Sequence, residues 1–286
     1  MAGKKIVTVA ARREAVQLLV ARGLSQRRAW VLLQLQRSTF GYQAHPARHV
    51  ELTTQSDELA RRHPRSGDRR VWALLRRRGQ RVNKKPGQRL WKRATLQVRQ
   101  ATCRRGLART VSIPVQATHP GHVWTYDFLH DRCLNGTPLK VLTIMDEFTR
   151  EGLAIEVATS LPSARVLAIL KRLVTRHGTP QFIRSDHGPE FSALAIRGWL
   201  AHHQTRTLYI DPGCPWQNGY GESFNGTVRD EGLNMYVLPA VAEARIVLAA
   251  SRRQDHEERP HSSLGYRTPT EFKRDWLERQ SPSGGL

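Results

Sequence analysis

Three carboxylates in this chain have types and spacing suited to metal-assisted phosphodiester chemistry. Asp127 lies in HVWTYDFLHD, Asp186 in QFIRSDHGPEF and Glu222 in GCPWQNGYGESFNG. Thirty-five residues separate Asp186 from Glu222, room for a helix and a strand. The flanking patterns place both aspartates at strand ends and Glu222 on a helix after a Pro/Gly/Asn turn cluster. Hard divalent cations take oxygen ligands, and Mg2+ commonly combines one or two carboxylates with phosphate oxygens and water. Two such ions, about 3.5–4 Å apart, activate an attacking oxygen and stabilise a leaving one. The expectation is a pair of Mg2+ ions, with Mn2+ as a substitute, held by Asp127, Asp186 and Glu222. No protein nucleophile is needed, because water or a DNA 3′-hydroxyl attacks. A single Asp at a strand end is usually a turn cap, and a single Glu on a helix is usually solvated. The signal is the combination, and Asp131, Asp146 and Glu190 in the same region rank below it.

The elements that must position these groups read as strands and helices from Gly121 onward. His122–Leu129, Leu139–Met145 and Gly152–Val157 are strand-like runs joined by turns at Asn135-Gly136 and Glu147–Arg150, which makes a meander. Ser163–Arg176 carries Val166, Ile169, Leu170, Leu173 and Val174 at amphipathic-helix spacing. Gln181–Asp186 reads as a fourth strand, Phe191–His203 as a helix and Thr205–Ile210 as a fifth strand. Helices follow over Tyr220–Asn234 and Ala240–Arg252. The order βββαβαβα predicts a mixed α/β domain of ribonuclease-H-like type.

Upstream, the pattern is helical and basic. Arg12–Ala21 carries Ala15, Val16, Leu19 and Val20 on one face, Gly23 stops it, and a second helix from Ser25 turns Ala29, Leu32 and Leu33 inward and Arg27 and Arg28 outward. This is compatible with a helix-turn-helix or with a plain helical hairpin. Ser38–Val50 reads as a linker. Leu52–Arg62 and Arg69–Arg78 read as helices, and a third, capped by Asn83, runs through Leu96 despite Pro86 and Gly87. The resulting division is an N-terminal helical region at 1–50, a basic helical region at 51–98, a linker at 99–119, the α/β core at 120–275 and a tail at 276–286.

The charge is divided the same way. The formal net charge is +22, and the first 110 residues hold 27 Lys/Arg against 5 Asp/Glu, while the remainder holds 19 of each. A basic half joined to a neutral half points to a polyanion partner. Arg69, Arg70, Arg77, Lys84, Lys85 and Arg89 are its candidate phosphate contacts. Three scattered cysteines, Cys103, Cys133 and Cys214, argue for a reducing compartment and against a disulfide framework. The N-terminus shows no signal peptide, and no run of about 18 apolar residues spans a membrane. The expected location is the cytoplasm, at the nucleoid when DNA is bound.

WTYDFLHD, LTIMDEFTR, IRSDHGPEF, GCPWQNGYGESFNGTVRDE and RPHSSLGYRTP together resemble the transposases of the IS3 insertion-sequence family, in the downstream-frame (OrfB) product. The resemblance covers nearly the whole chain and is densest from Gly121 to Phe272. It implies an integrase catalytic core with a D,D(35)E triad at Asp127, Asp186 and Glu222. It implies a helix-turn-helix region over HPRSGDRRVWALLRRRG, and cleavage of element ends followed by strand transfer. The implied partners are double-stranded DNA, further copies of the chain and an upstream-frame (OrfA-type) protein. Asn218, Ser223 and Asn225 flank Glu222 and would orient DNA or metal-bound water, or serve as caps. His187 stands where the family commonly has Asn, and a neutral His there still donates a hydrogen bond. Arg259, His261 and Ser262 would lie at the core's C-terminal edge near DNA, or form a structural turn. RRQDHEE departs from the Tyr-Asn that often precedes that motif, which bears on local packing more than on chemistry.

Two other readings compete. One is a non-catalytic DNA-binding regulator of transposition that needs fusion to the upstream-frame product for activity; an overlapping frame upstream of Met1 would favour it. The other is a ribonuclease-H-type nuclease cutting hybrids, against which stand the basic half and the family motifs.

Overall fold

The computed structural model describes residues 8–42, 50–98, 115–185, 194–211 and 214–280. The chain divides into two compact units, Met1–Leu52 and Thr53–Leu286. In the first unit, α1 (Val9–Ala21), α2 (Gln26–Leu32) and α3 (Arg37–Gly41) enclose Val16, Ala29 and Leu35, with Trp30 against Phe40. The Thr8 hydroxyl caps α1 by accepting from Ala11 N. Two expectations change here. Leu32 is 68% exposed rather than inward. The stretch read as linker begins with α3, a helix too short to show a period.

The second unit takes α4 (Val50–Arg62) from Thr53 onward, followed by α5 (Asp68–Arg77) and α6 (Lys84–Arg93). Val71, Ala73 and Leu75 of α5 and Trp91 of α6 are buried, and Trp72 Nε1 donates to the Val82 carbonyl at 2.8 Å. Asn83 stands at the N-cap position of α6 but makes no side-chain cap bond. The helix ends at Arg93 rather than Leu96, because Thr95 turns to a φ of 54°.

The core is a five-stranded sheet, β1 (Val123–Arg132), β2 (Pro138–Asp146), β3 (Gly152–Ala158), β4 (Phe182–Ser185) and β5 (Arg206–Tyr209). The order across the sheet is β3-β2-β1-β4-β5. The first three strands are antiparallel; β4 runs parallel to β1, and β5 parallel to β4. Side chains alternate across a strand, so β1 serves two cores. Trp124 and Tyr126 pack with Val166, Ile169 and Leu170 of α7 (Ser163–His177) and Ile196 of α8 (Leu194–His202). Leu129 packs on the other face with Phe224 and Val228 of α9 (Gly219–Glu231) and Leu248 of α10 (Val241–Glu257). α11 (Pro269–Gln280) closes the described chain. This is a mixed ribonuclease-H-like α/β core following an all-helical region. No helix among the described residues is long and apolar enough to cross a membrane.

Candidate active site

Asp127 stands mid-strand on β1, directly across from Thr143 of β2, rather than at a strand end. Its position relative to β4 explains the difference. The described β1–β4 pairing stops at Thr125 with Arg184, and β4 ends one residue later at Ser185. Asp127 therefore lies on the part of β1 that outruns its parallel neighbour. Asp186 is the next residue in the chain after Ser185; it, His187 and Glu190 lie outside the described residues.

The face of β1 that carries Asp127 also carries Thr125, and both reach towards α9. Asn225 of α9 donates from Nδ2 to Asp127 Oδ2 at 2.8 Å. The Thr143 hydroxyl donates to Asn225 Oδ1 at 2.6 Å, which fixes the orientation of that amide. Asp127 Oδ1 accepts from the Phe128 N–H at 2.7 Å. Seven residues before Asn225, about two turns of helix, the Thr125 hydroxyl donates to Asn218 Oδ1 at 2.6 Å. Asn218 and Asn225 are 5% and 6% exposed, so both amides are structural bolts between β1 and the helix. Gly221 makes room for this, since a Cβ there would stand 2.6 Å from Asn218 Oδ1. Glu222 is exposed in the first turn of α9. Positions three and four apart share a helix face, so Glu222 shares one with Asn218 and Asn225. The bolts that seat α9 on β1 thus hold the Glu222 helix against the Asp127 strand. Gln217 adds a brace, accepting from Asp211 N at 2.9 Å and donating to Asp211 Oδ2 at 2.8 Å.

Of the carboxylates ranked below the three, Asp131 and Asp146 are occupied in other ways, as is Glu147. Asp146 accepts from the N–H groups of Gly121, Phe148 and Thr149 at 2.6, 2.9 and 2.8 Å; burial still pushes its carboxyl up. Glu147 pairs with Arg184 at 2.7 Å, the two side chains 0% and 3% exposed. Arg184 also donates to the Val115 carbonyl at 2.7 Å, which ties the segment entering the core to the end of β4. Asp131 caps the Arg132 N–H at 2.8 Å. Thr125, Thr143 and the Glu147–Arg184 strut escaped sequence reasoning, because threonine in a strand is common and only strand register brings these residues to α9 and β4.

The candidate phosphate contacts fall into two groups. Arg69, Lys85 and Arg89 are exposed, and Lys84 sits over the rings of Trp72 and Tyr266 at 4.8 and 5.2 Å. Arg70 instead pairs with Glu231 at 2.7 Å, and Arg77 pairs with Glu271 and donates to the Glu258 carbonyl at 3.3 Å. Arg259 is held by Glu231 at 2.8 Å and Asp255 at 3.5 Å, and His261 Nε2 lies 3.2 Å from Asp255 Oδ1. Arg70 and Arg77 belong to the seam between α4–α6 and the core, Arg259 joins it by sharing Glu231 with Arg70, and His261 packs on Asp255 within the core. Burial alone would raise the Asp255 carboxyl, but His261 and Arg259 take it below the usual carboxylate range.

Two models described as an integrase core domain match residues 117–215 and 203–269. An insertion element IS407 protein of 31.7 kDa from Burkholderia multivorans is 39% identical over 250 residues, 87% of this chain and 90% of that one. The chain belongs to the insertion-element transposases with an integrase catalytic core. An insertion element IS476 protein from Xanthomonas euvesicatoria is 37% identical over 94% of this chain and 79% of its own. The transposase InsD of insertion element IS2 from Escherichia coli is 28% identical over 90% of each chain. The solved HTLV-2 integrase catalytic core domain is similar at 15% identity and a TM-score of 0.46, covering 55% of this chain and 99% of that one. As an integrase-core transposase, the chain is a polynucleotidyl transferase by family.

Proposed function

We propose that this transposase cuts DNA at the ends of its insertion element and transfers the strand, using Asp127, Asp186 and Glu222 as one carboxylate set. The observation that carries the reading is the Asn225 bond to Asp127, which seats the Glu222 helix on the Asp127 strand beside the end of β4. The chain reaches Asp186 one peptide bond beyond that end. The donor set fits a divalent cation: it is all oxygen, with Asp127 half-buried and fixed and Glu222 exposed to incoming phosphate. Bound Mg2+ or Mn2+ would lower the pKa of the attacking oxygen and neutralise charge on the leaving one. The chain's own part is to hold the carboxylates. Asn225 and the Phe128 N–H fix the Asp127 rotamer, and the Thr143 hydroxyl fixes Asn225. Double-stranded DNA and further copies of the chain are the partners, with an upstream-frame protein as a third.

The test is a cleavage assay on labelled duplex carrying the element's own end. Wild type should nick it in Mg2+ or Mn2+ and not in chelator, and Asp186→Asn should not nick it at all. Equal cutting by both proteins would refute the carboxylate assignment. Binding without cutting by wild type would favour a regulator that needs its upstream-frame fusion.

A further inference from the structure

We infer that the groove between α5–α6 and α9 is a binding site for the sugar-phosphate backbone of duplex DNA, with Arg69 and Lys92 as its phosphate contacts. The inference rests on the transposase reading for the identity of the polyanion and adds where that polyanion lies. The groove encloses about 1710 Å³ and lies wholly within the second unit. One wall is the basic helical segment, with Arg69 on α5 and Lys92 on α6. The other is α9, with Tyr220 and Ser223 on either side of Glu222 in sequence.

The cations of the groove divide by what already holds them. Arg70 and Arg259 share Glu231, Arg65 lies 3.5 Å from Asp230, and Arg150 stacks on the Tyr220 ring at 3.7 Å. Arg70 and Arg65 bridge the two walls, whereas Arg259 and Arg150 are held within the core wall. Arg69, Lys92 and, on α9 itself, Arg229 are exposed and have no ion pair among the described residues. Their charge is available to a ligand, whereas that of Arg70 and Arg259 is not. The basic segment is therefore a docked wall facing the Glu222 helix, and a duplex bound there lies beside the candidate active site. Phosphate contacts of this kind set position and salt dependence and leave sequence choice to other groups.

A charge-matched comparison tests this. Arg69→Gln/Lys92→Gln is compared with Arg165→Gln/Lys171→Gln, two exposed cations on α7 across the sheet. The probe is a labelled blunt duplex of arbitrary sequence, titrated across a salt series. The groove variant should lose about 2 from the slope of log K against log salt, since each phosphate contact contributes about 0.9. The α7 variant should keep the wild-type slope. Equal losses in both variants would mean diffuse attraction and overturn the groove, as would an unchanged slope in the groove variant. All four side chains are exposed, and matched melting temperatures confirm that binding is compared between folded proteins. Cutting is read separately: a groove variant that binds normally while Asp186→Asn fails to nick removes the groove and leaves the transposase reading standing.

Discussion

Asn225 holds Asp127 with one end of its amide and takes the Thr143 hydroxyl with the other. Asn225→Ala removes both bonds and leaves buried polar groups unpaired, at about 1–3 kcal/mol. A thermal melt should show that loss, and nicking should fall further than folding alone explains, because the Asp127 rotamer is released. Asn225→Asp should be worse for nicking, since a second carboxylate faces Asp127 Oδ2. The histidines supply a pH prediction. Burial lowers the pKa of His256 despite Glu151 and Asp255 beside it, with Arg252 acting in the same direction as burial. Burial likewise lowers that of His177 and of His63. A folded pKa below the unfolded value of about 6.5 means that the folded state binds fewer protons. The stability is fully present above that value and is lost as pH falls through the window beneath it. The melting temperature should therefore drop from pH 7.5 to pH 5.5, and His256→Gln should flatten the drop. Sequence motifs marked Asp127, Glu222 and Asn225 because unusual flanks surround them. Thr143 carries no such mark, and only the antiparallel register sets it opposite Asp127.

At the scale of elements, α9 is held by close approach as well as by hydrogen bonds. Gly152 of β3 faces Phe224 so closely that a Cβ would stand 2.5 Å from its ring. Gly152→Ala should push Phe224, and α9 with it, off the sheet. Overpacking of this kind costs about 1–3 kcal/mol, readable as a shifted denaturation midpoint with reduced nicking. Gly221→Ala should act at the other end of the contact by displacing Asn218. The long, strongly periodic elements were legible in advance: the α7 stripe buries Val166, Ile169, Leu170 and Leu173 as its spacing requires. Short elements were less so. α3 spans five residues, too few for a period, and the end of α6 depends on a positive φ at Thr95, a residue with no special freedom there. α10 runs on to Glu257 beyond Arg252, through RRQDHE. Asp255 and His256 pack inward there, against Arg259, His261 and Glu151.

For the whole molecule, the charge asymmetry of the sequence conceals an internal match. The acidic residues of the neutral half include Glu231, Glu258 and Glu271, which take Arg70, Arg62 and Arg77 from the basic helices. Composition showed the surplus and not this pairing, because partners 161 or more positions apart leave no local pattern. Glu231 is the centre of the seam, and Arg259 beside it is 11% exposed. Glu231→Gln should cost about 1–3 kcal/mol by leaving two guanidinium groups undercompensated, and melting in the variant should respond less to added salt than in wild type. Whether Asp127, Asp186 and Glu222 work as one unit is decided by the additivity of their loss. Nicking rates in Mg2+ would be compared for Asp127→Asn, Glu222→Gln and the double variant. Groups that act together are grossly non-additive. Each single substitution should abolish nearly all cutting, by about 1,000-fold or more, and the double should be no worse than either. Near-wild-type cutting by either single variant, or two modest losses that multiply in the double, would contradict their action as one unit.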